Sequence, residues 1–237
     1  MIILAMESSA KPASVAVCSL EDASPPGCRC RLLGQYFQNS GLTHSRTLLS
    51  MAENLLKNLD MTPSDIDLVA VSSGPGSFTG VRIGVSAAKG MAWGLGKTVC
   101  GVSTLEAMAC QTPEPGVLIC PVMDARRGQT YNALFEWRDG AMARLCDDRA
   151  ISLEDLATEL RNYGTSCYLA GDGAEMSCNY LRAAGIHCRI APALLRYQTA
   201  YGVAVSAANA TPIPAIELEP RYLRPSQAER EHAAKGK

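Results

Sequence analysis

The chain lacks an excess of either charge, a C-x-x-C cysteine pair, a long apolar run and a histidine partner at metal-ligand spacing. Each absence excludes a class of function. Its 22 basic and 23 acidic side chains leave a formal net charge of −1, so it has no broad basic footprint of the kind that grips nucleic acid. No apolar run approaches the roughly 18 residues needed to cross a bilayer. The opening residues, Met1-Ile2-Ile3-Leu4-Ala5-Met6-Glu7, carry no basic stretch and reach an acid too early for a secretory signal. The expectation is a soluble, cytoplasmic protein with no membrane partner.

Ten cysteines are present without a single C-x-x-C pair. Cys28-Arg29-Cys30 is too tight for a zinc knuckle and has no histidine near it. Cys18 and Cys120 sit in apolar runs, where a free thiol behaves as a small hydrophobe, so reduced structural cysteines are expected. Histidine occurs only at 44, 187 and 232. The position four after His44, where a second ligand would share its helix face, is Leu48. No catalytic metal is expected. Ser77 is outside any G-x-S-x-G elbow and no histidine is placed as its base, which leaves serine nucleophile chemistry without support.

What remains is an ordinary globular composition, 47% hydrophobic and 19% charged over 237 residues, long enough for one large domain or two lobes. Apolar runs at 2–6 and 14–20, split by a turn at Pro12, predict a strand pair, followed by a loop over 24–31. Apolar residues at 48, 49, 52, 55, 56 and 59 predict an amphipathic helix over 43–59. A buried strand over 66–72 leads through a glycine-rich turn, Ser73 to Gly80, into a second helix over about 81–95. That helix is dotted with Gly84, Ala87, Ala88, Gly90 and Gly94, which implies close approach of another backbone, internal or from another chain.

The plan then repeats. Val117–Met123 ends at Asp124 as the first strand ends at Glu7, with Gln129–Trp137 as its hairpin partner. Val69–Gly76 is echoed by Tyr168–Gly173. A duplicated α/β architecture follows: an N-terminal lobe over 1–104, a C-terminal lobe over 105–198, a helix and segment over 199–224 returning to the first lobe, and a flexible tail over 225–237.

Glycines between a strand and a helix let backbone N–H groups face an anion. The turn is neither a Walker A loop nor G-x-G-x-x-G. Its phosphate-contact residues would be Gly74, Gly76, Ser77, Thr79, Gly80 and Arg82; the alternative is a tight turn with Arg82 against the neighbouring strand. Glu7, with Ser8 beside it, and Asp124 could hold Mg²⁺ waters across a cleft, or cap their own turns.

The run Gly74-Pro75-Gly76-Ser77-Phe78-Thr79-Gly80-Val81-Arg82-Ile83-Gly84 resembles the hallmark of the TsaB (YeaZ) family, required for threonylcarbamoyladenosine in bacterial tRNA. Gly101–Leu105, Asp124–Tyr131, Gly171-Asp172-Gly173 and Pro220-Arg221-Tyr222-Leu223-Arg224 follow in the family's order, so the resemblance covers residues 1–224. Glu7-Ser8-Ser9 stands where many members have Asp-Thr-Ser. The resemblance implies a two-lobed, actin-like ATPase fold and a non-catalytic role. The related TsaD transferase carries His-x-x-x-His where this chain has His44-Ser45-Arg46-Thr47-Leu48. It also implies pairing with TsaD through the first two helices, and His44, Leu48, Met51, Leu55, Gly84, Ala88 and Met91 are the expected interface residues. A TsaE-type ATPase would be a further partner, tRNA would be reached indirectly through the complex, and a homodimer would form without TsaD. The resemblance fixes no cofactor: ATP or ADP with Mg²⁺ could sit at the complex interface, in this chain's own cleft or nowhere. Arg221, Arg224, Arg230 and Lys235 are expected to give auxiliary tRNA contacts. A stand-alone ATP-dependent phosphotransferase is the alternative; a metal-dependent glycoprotease is disfavoured by the missing histidine.

Overall fold

The computed structural model describes residues 1–21, 30–41, 43–112, 116–126, 128–138 and 141–224. Residues 24–29 of the expected loop, Cys28, Arg127 and the tail 225–237 with Arg230 and Lys235 lie outside the described residues.

The first half builds β1 (Ile2–Glu7), β2 (Ala13–Leu20), β3 (Cys30–Gln38), α1 (His44–Asn58), β4 (Leu68–Gly74), α2 (Phe78–Leu95) and β5 (Thr98–Ser103). The strands form one sheet in the order β3-β2-β1-β4-β5. β1 runs antiparallel to β2 and parallel to β4. Residues 68–74 are buried throughout, as a central strand covered on both faces requires. On one face, Leu48, Ala52, Leu55 and Leu56 of α1 and Val81, Val85, Ala88 and Ala92 of α2 pack on Leu4, Met6, Val15 and Val71. These positions recur at helical spacing, so each helix turns one stripe to the sheet. Each leucine so buried contributes about 1.5–3 kcal/mol.

The second half builds α3 (Thr104–Cys110), β6 (Leu118–Asp124), β7 (Gln129–Asn132), β8 (Phe135–Arg138), β9 (Ala141–Arg144), β10 (Arg149–Ser152), α4 (Leu153–Tyr163), β11 (Cys167–Ala170), α5 (Ala174–Ala183), β12 (Cys188–Ile190), α6 (Ala193–Arg196) and α7 (Ala200–Ala207). Its sheet runs β10-β7-β6-β11-β12, with β8 against β6 and β9. The single hairpin strand expected over Gln129–Trp137 is two strands. β7 pairs with the end of β6 and β8 with its start, while the buried Ala133 and Leu134 make the step between them.

The expected duplicated α/β plan is present. β6 has an antiparallel neighbour in β7 and a parallel one in β11, as β1 has in β2 and β4. The two strand-end acids close equivalent turns: the Ser9 N–H donates to Glu7 Oε1 at 2.6 Å and the Arg126 N–H to Asp124 Oδ1 at 2.7 Å. Val203 and Ala204 of α7 cover the other face of the first sheet against Ile3, Ala5 and Ala16. Leu105 and Met108 of α3 join Ala10, Ile119, Met123 and Phe135 in a core between the sheets. Beyond α7 the chain returns along the first sheet, where Ile213 exchanges backbone hydrogen bonds with Val99 at 2.9 Å. No helix among the described residues is long and apolar enough to cross a membrane.

Candidate functional site

The glycine-rich turn is filled by the chain itself. Ser77 caps α2 by accepting from the Gly80 N–H at 3.3 Å, which starts the helix at Phe78, ahead of the expected 81. A Cβ on Gly76 would collide with the Ser9 carbonyl, one on Gly80 with the Ser8 carbonyl and one on Gly84 with Ser8 Oγ. Gly74, at φ +124°, leaves no room for a Cβ beside the Arg221 carbonyl. The Ser77 N–H donates to the Ser9 carbonyl at 2.6 Å, and Ser8 Oγ donates to the Gly80 carbonyl at 2.9 Å. The turn between β1 and β2 therefore lies against the start of α2, and glycine is required to admit it. The expected phosphate contacts at Ser8 and Gly74 are corrected, since both are buried in internal packing; Gly76 and Gly80 pack against this turn and also line the cleft.

Glu7 is corrected in the same way. It is fully buried, accepts from the Ser9 N–H and from the Ser72 hydroxyl, and has no path to a ligand. Burial pushes its carboxyl above the ordinary value, against hydrogen bonds from Ser72 and Ser9 that favour the charged form. Asp124 differs, being exposed.

Asp124 faces a cleft of about 970 Å³, which Gly76, Ser77, Thr79, Gly80 and Arg82 of the expected set also line. Sequence reasoning missed Lys11, Arg126 and Asp172 on its walls, and gave Arg221 and Arg224 only an auxiliary role. The readable signal was the Pro220–Arg224 block. The Arg221 N–H donates to the Ser73 carbonyl at 2.6 Å and the Arg224 guanidinium to the Ala125 carbonyl at 2.9 Å, so this block straps the two halves together. Arg82 donates from Nε to Tyr222 Oη at 2.8 Å and lies 3.8 Å from the Phe78 ring centroid. Phe78 stacks on Tyr222 at 4.4 Å. Ser9 Oγ and His44 Nδ1, also at the cleft, are buried without a hydrogen-bond partner.

A metal does not fit the donors present. His44 Nε2 lies 2.7 Å from the Ala10 carbonyl, Leu48 is in the core, and the described residues contain no cluster of three or more His, Cys, Asp or Glu able to hold an ion.

The expected helical interface also needs correction. Leu48, Leu55, Gly84 and Ala88 are buried in the face that α1 and α2 turn to their own sheet. Gly84 faces the side chains of Ser8 and Val71, and Ala88 is part of the core. His44, Met51 and Met91 are half-buried at the margin. The open part of α2 is the exposed pair Gly90 and Gly94, in line with half-buried, core-packed Ile83 and Ala87 at the helical spacing i, i+4, i+7, i+11. A Cβ on Gly90 or Gly94 would meet nothing within 4 Å. Leu49 at 50% and Trp93 at 65% exposure lie on the outer surfaces of the same two helices.

Residues 38–211 match a family model described as tRNA N6-adenosine threonylcarbamoyltransferase, TsaD. The tRNA threonylcarbamoyladenosine biosynthesis protein TsaB of Bacillus subtilis is 37% identical over 124 residues, 52% of this chain and 54% of that protein. The Haemophilus influenzae protein of the same name is 28% identical over 197 residues, 77% and 80% of the two chains. The first match thus spans about half the relative's length. A solved structure of YeaZ from Pseudomonas aeruginosa superposes with a TM-score of 0.74 at 25% identity, covering 94% of this chain and 99% of the other.

Proposed function

The chain belongs to the TsaD-like family and is aligned with its TsaB (YeaZ) members, and from that premise we propose that it is a non-catalytic subunit in the making of threonylcarbamoyladenosine in tRNA. It binds and activates a TsaD-like transferase, which moves the threonylcarbamoyl group to the adenosine beside the anticodon, with a TsaE-type ATPase as a further partner. Nucleotide and Mg²⁺ belong, in this reading, to the interface of the complex. The observation that carries it is the exposed, unfilled pair Gly90 and Gly94 on α2, in line with half-buried Ile83 and Ala87. Small residues exposed along a helix, with space where side chains would stand, suit the close approach of a partner helix. The half-buried Met51 on α1 and Met91 on α2 border this seat as adaptable apolar contacts. The same surface would serve a homodimer when the transferase is absent.

Reconstitution tests the reading. Purified TsaD-like and TsaE-like partners, tRNA, threonylcarbamoyl-AMP and ATP are assayed for modified adenosine with and without this chain. Modification that depends on its addition supports an activating subunit. Full modification without it overturns that role, and ATP turnover by the isolated chain would install the phosphotransferase alternative.

A further inference from the structure

The cleft concentrates positive charge on a chain that is otherwise balanced. Lys11, Arg82, Arg126, Arg221 and Arg224 outnumber Asp124 and Asp172 on its walls, against a formal net charge of −1 for the whole. Two of these cations are engaged inside the fold: Arg82 with Tyr222 and Phe78, and Arg224 with the Ala125 carbonyl. The side chains of Lys11, Arg126 and Arg221 are exposed and have no hydrogen-bond or ion-pair partner among the described residues. A concave wall with unpaired cations focuses an attractive field for anions.

Three further observations narrow the ligand. Arg126 sits at φ +62°, a left-handed conformation that costs a non-glycine residue about 1–2 kcal/mol and so stands out at a cleft wall. Tyr222, backed by Phe78, is 41% exposed at the same cleft, which leaves part of an aromatic surface for a flat group. The Cβ side of the glycine turns is taken by the chain itself, at Gly76 and Gly80 by the Ser9 and Ser8 carbonyls and at Gly171 by the Val122 carbonyl, while Gly76 and Gly80 line the same open cleft. Cations reaching into an open cleft beside an aromatic ring match solvated backbone phosphates and an unstacked base.

We propose that this cleft binds a single-stranded stretch of RNA, with phosphates on Lys11, Arg126 and Arg221 and a base against Tyr222. The proposal rests on the tRNA-modification reading and makes this subunit a direct contact to the RNA.

The test is fluorescence anisotropy of the full chain with a fluorescein-labelled single-stranded oligouridylate 12-mer, over a salt series. Three phosphate contacts give a log–log salt slope of about −2, at about 0.7 per phosphate on a single strand. Arg126→Gln and Arg221→Gln should each lower the slope by about 0.7, with thermal unfolding unchanged. Tyr222→Ala should weaken binding about fivefold or more without changing the slope. No binding, or variants that bind like the parent chain, would overturn the proposal. Displacement of the RNA by equimolar ATP would assign the cleft to a mononucleotide, and equal binding of poly-glutamate would assign it to an acidic peptide. In the reconstituted reaction, Lys11→Gln/Arg126→Gln/Arg221→Gln should raise the KM for tRNA while pairing with the transferase persists. If that variant activates like the parent chain, the RNA site is wrong and the subunit reading stands. If the parent chain fails to activate, the subunit reading falls, and the anisotropy alone decides on RNA.

Discussion

The two halves of the molecule share a plan and differ in what they leave open. Each has a strand ending in an acid, a turn closed by that acid on the N–H two residues later, and a parallel neighbour with a glycine at its end or just after it. In each, the strand-end glycine has positive φ, Gly74 at +124° and Gly171 at +108°, and presses on a carbonyl, that of Arg221 or Val122. In the first half the acid is sealed in and the start of α2 lies on the turn. In the second half the acid is exposed and its turn carries Arg126 into the cleft. The shared glycines are therefore explained by packing, and the ligand-facing chemistry sits where the two halves diverge.

The comparison can be broken first at the glycines. Gly80→Val and Gly171→Ala should each destabilise by about 3 kcal/mol or more, since overpacking against backbone cannot be relieved by a side-chain shift. Thermal unfolding should show a fall of about 6–12 °C for a chain of this size. Variants that unfold like the parent chain would mean the close approaches do not hold the turns.

The acids sharpen it next. Glu7 has its carboxyl pushed up by burial, so the folded state binds a proton more tightly than the unfolded state. Its contribution favours folding at pH below the unfolded value of 4.5 and is lost as pH rises through the raised folded value. Glu7→Gln should therefore stabilise the chain near neutral pH, on the order of 1 kcal/mol, with the gain disappearing below about pH 4.5. Asp124→Asn, at an exposed site, should change stability by less than about 0.5 kcal/mol. Equal pH profiles for the two variants would remove the distinction between the halves.

A smaller effect than those at Gly80, Gly171 and Glu7 is expected on the outer face of α2. Gly90→Ala should stabilise by about 0.8 kcal/mol, because the site is open and alanine is the better helix former. Gly84→Ala, whose Cβ would strike Ser8 Oγ, should destabilise despite the same gain in propensity. Chemical denaturation resolves the opposite signs.

Much of this fold is legible in the sequence. The apolar runs around Pro12 read as β1 and β2, the stripe from Leu48 to Leu59 as α1, and the echo of Val69–Gly76 in Tyr168–Gly173 as a duplication. The site reads less well. Periodicity shows that Leu48, Leu55 and Ala88 share a stripe, but a stripe facing a partner and one facing its own sheet have the same spacing. Glycines admit a phosphate or a carbonyl equally, so Gly76 and Gly80 gave no warning that Ser9 and Ser8 fill their turn. Glu7 follows an apolar strand just as Asp124 does, and only tertiary packing buries one of them. The cleft gathers Lys11, Arg126 and Arg221 from three distant segments, a proximity that no local pattern encodes.

The central claim is that the open glycine pair on α2 seats the transferase, and the affinity of the two proteins tests it most directly. Titration calorimetry of a TsaD-like transferase with this chain and with Gly90→Arg should show binding by the parent chain and a loss of at least about tenfold, or 1.4 kcal/mol, in the variant. The variant should unfold at the parent's temperature or above. Equal affinities would contradict the claim and move the interface off this face.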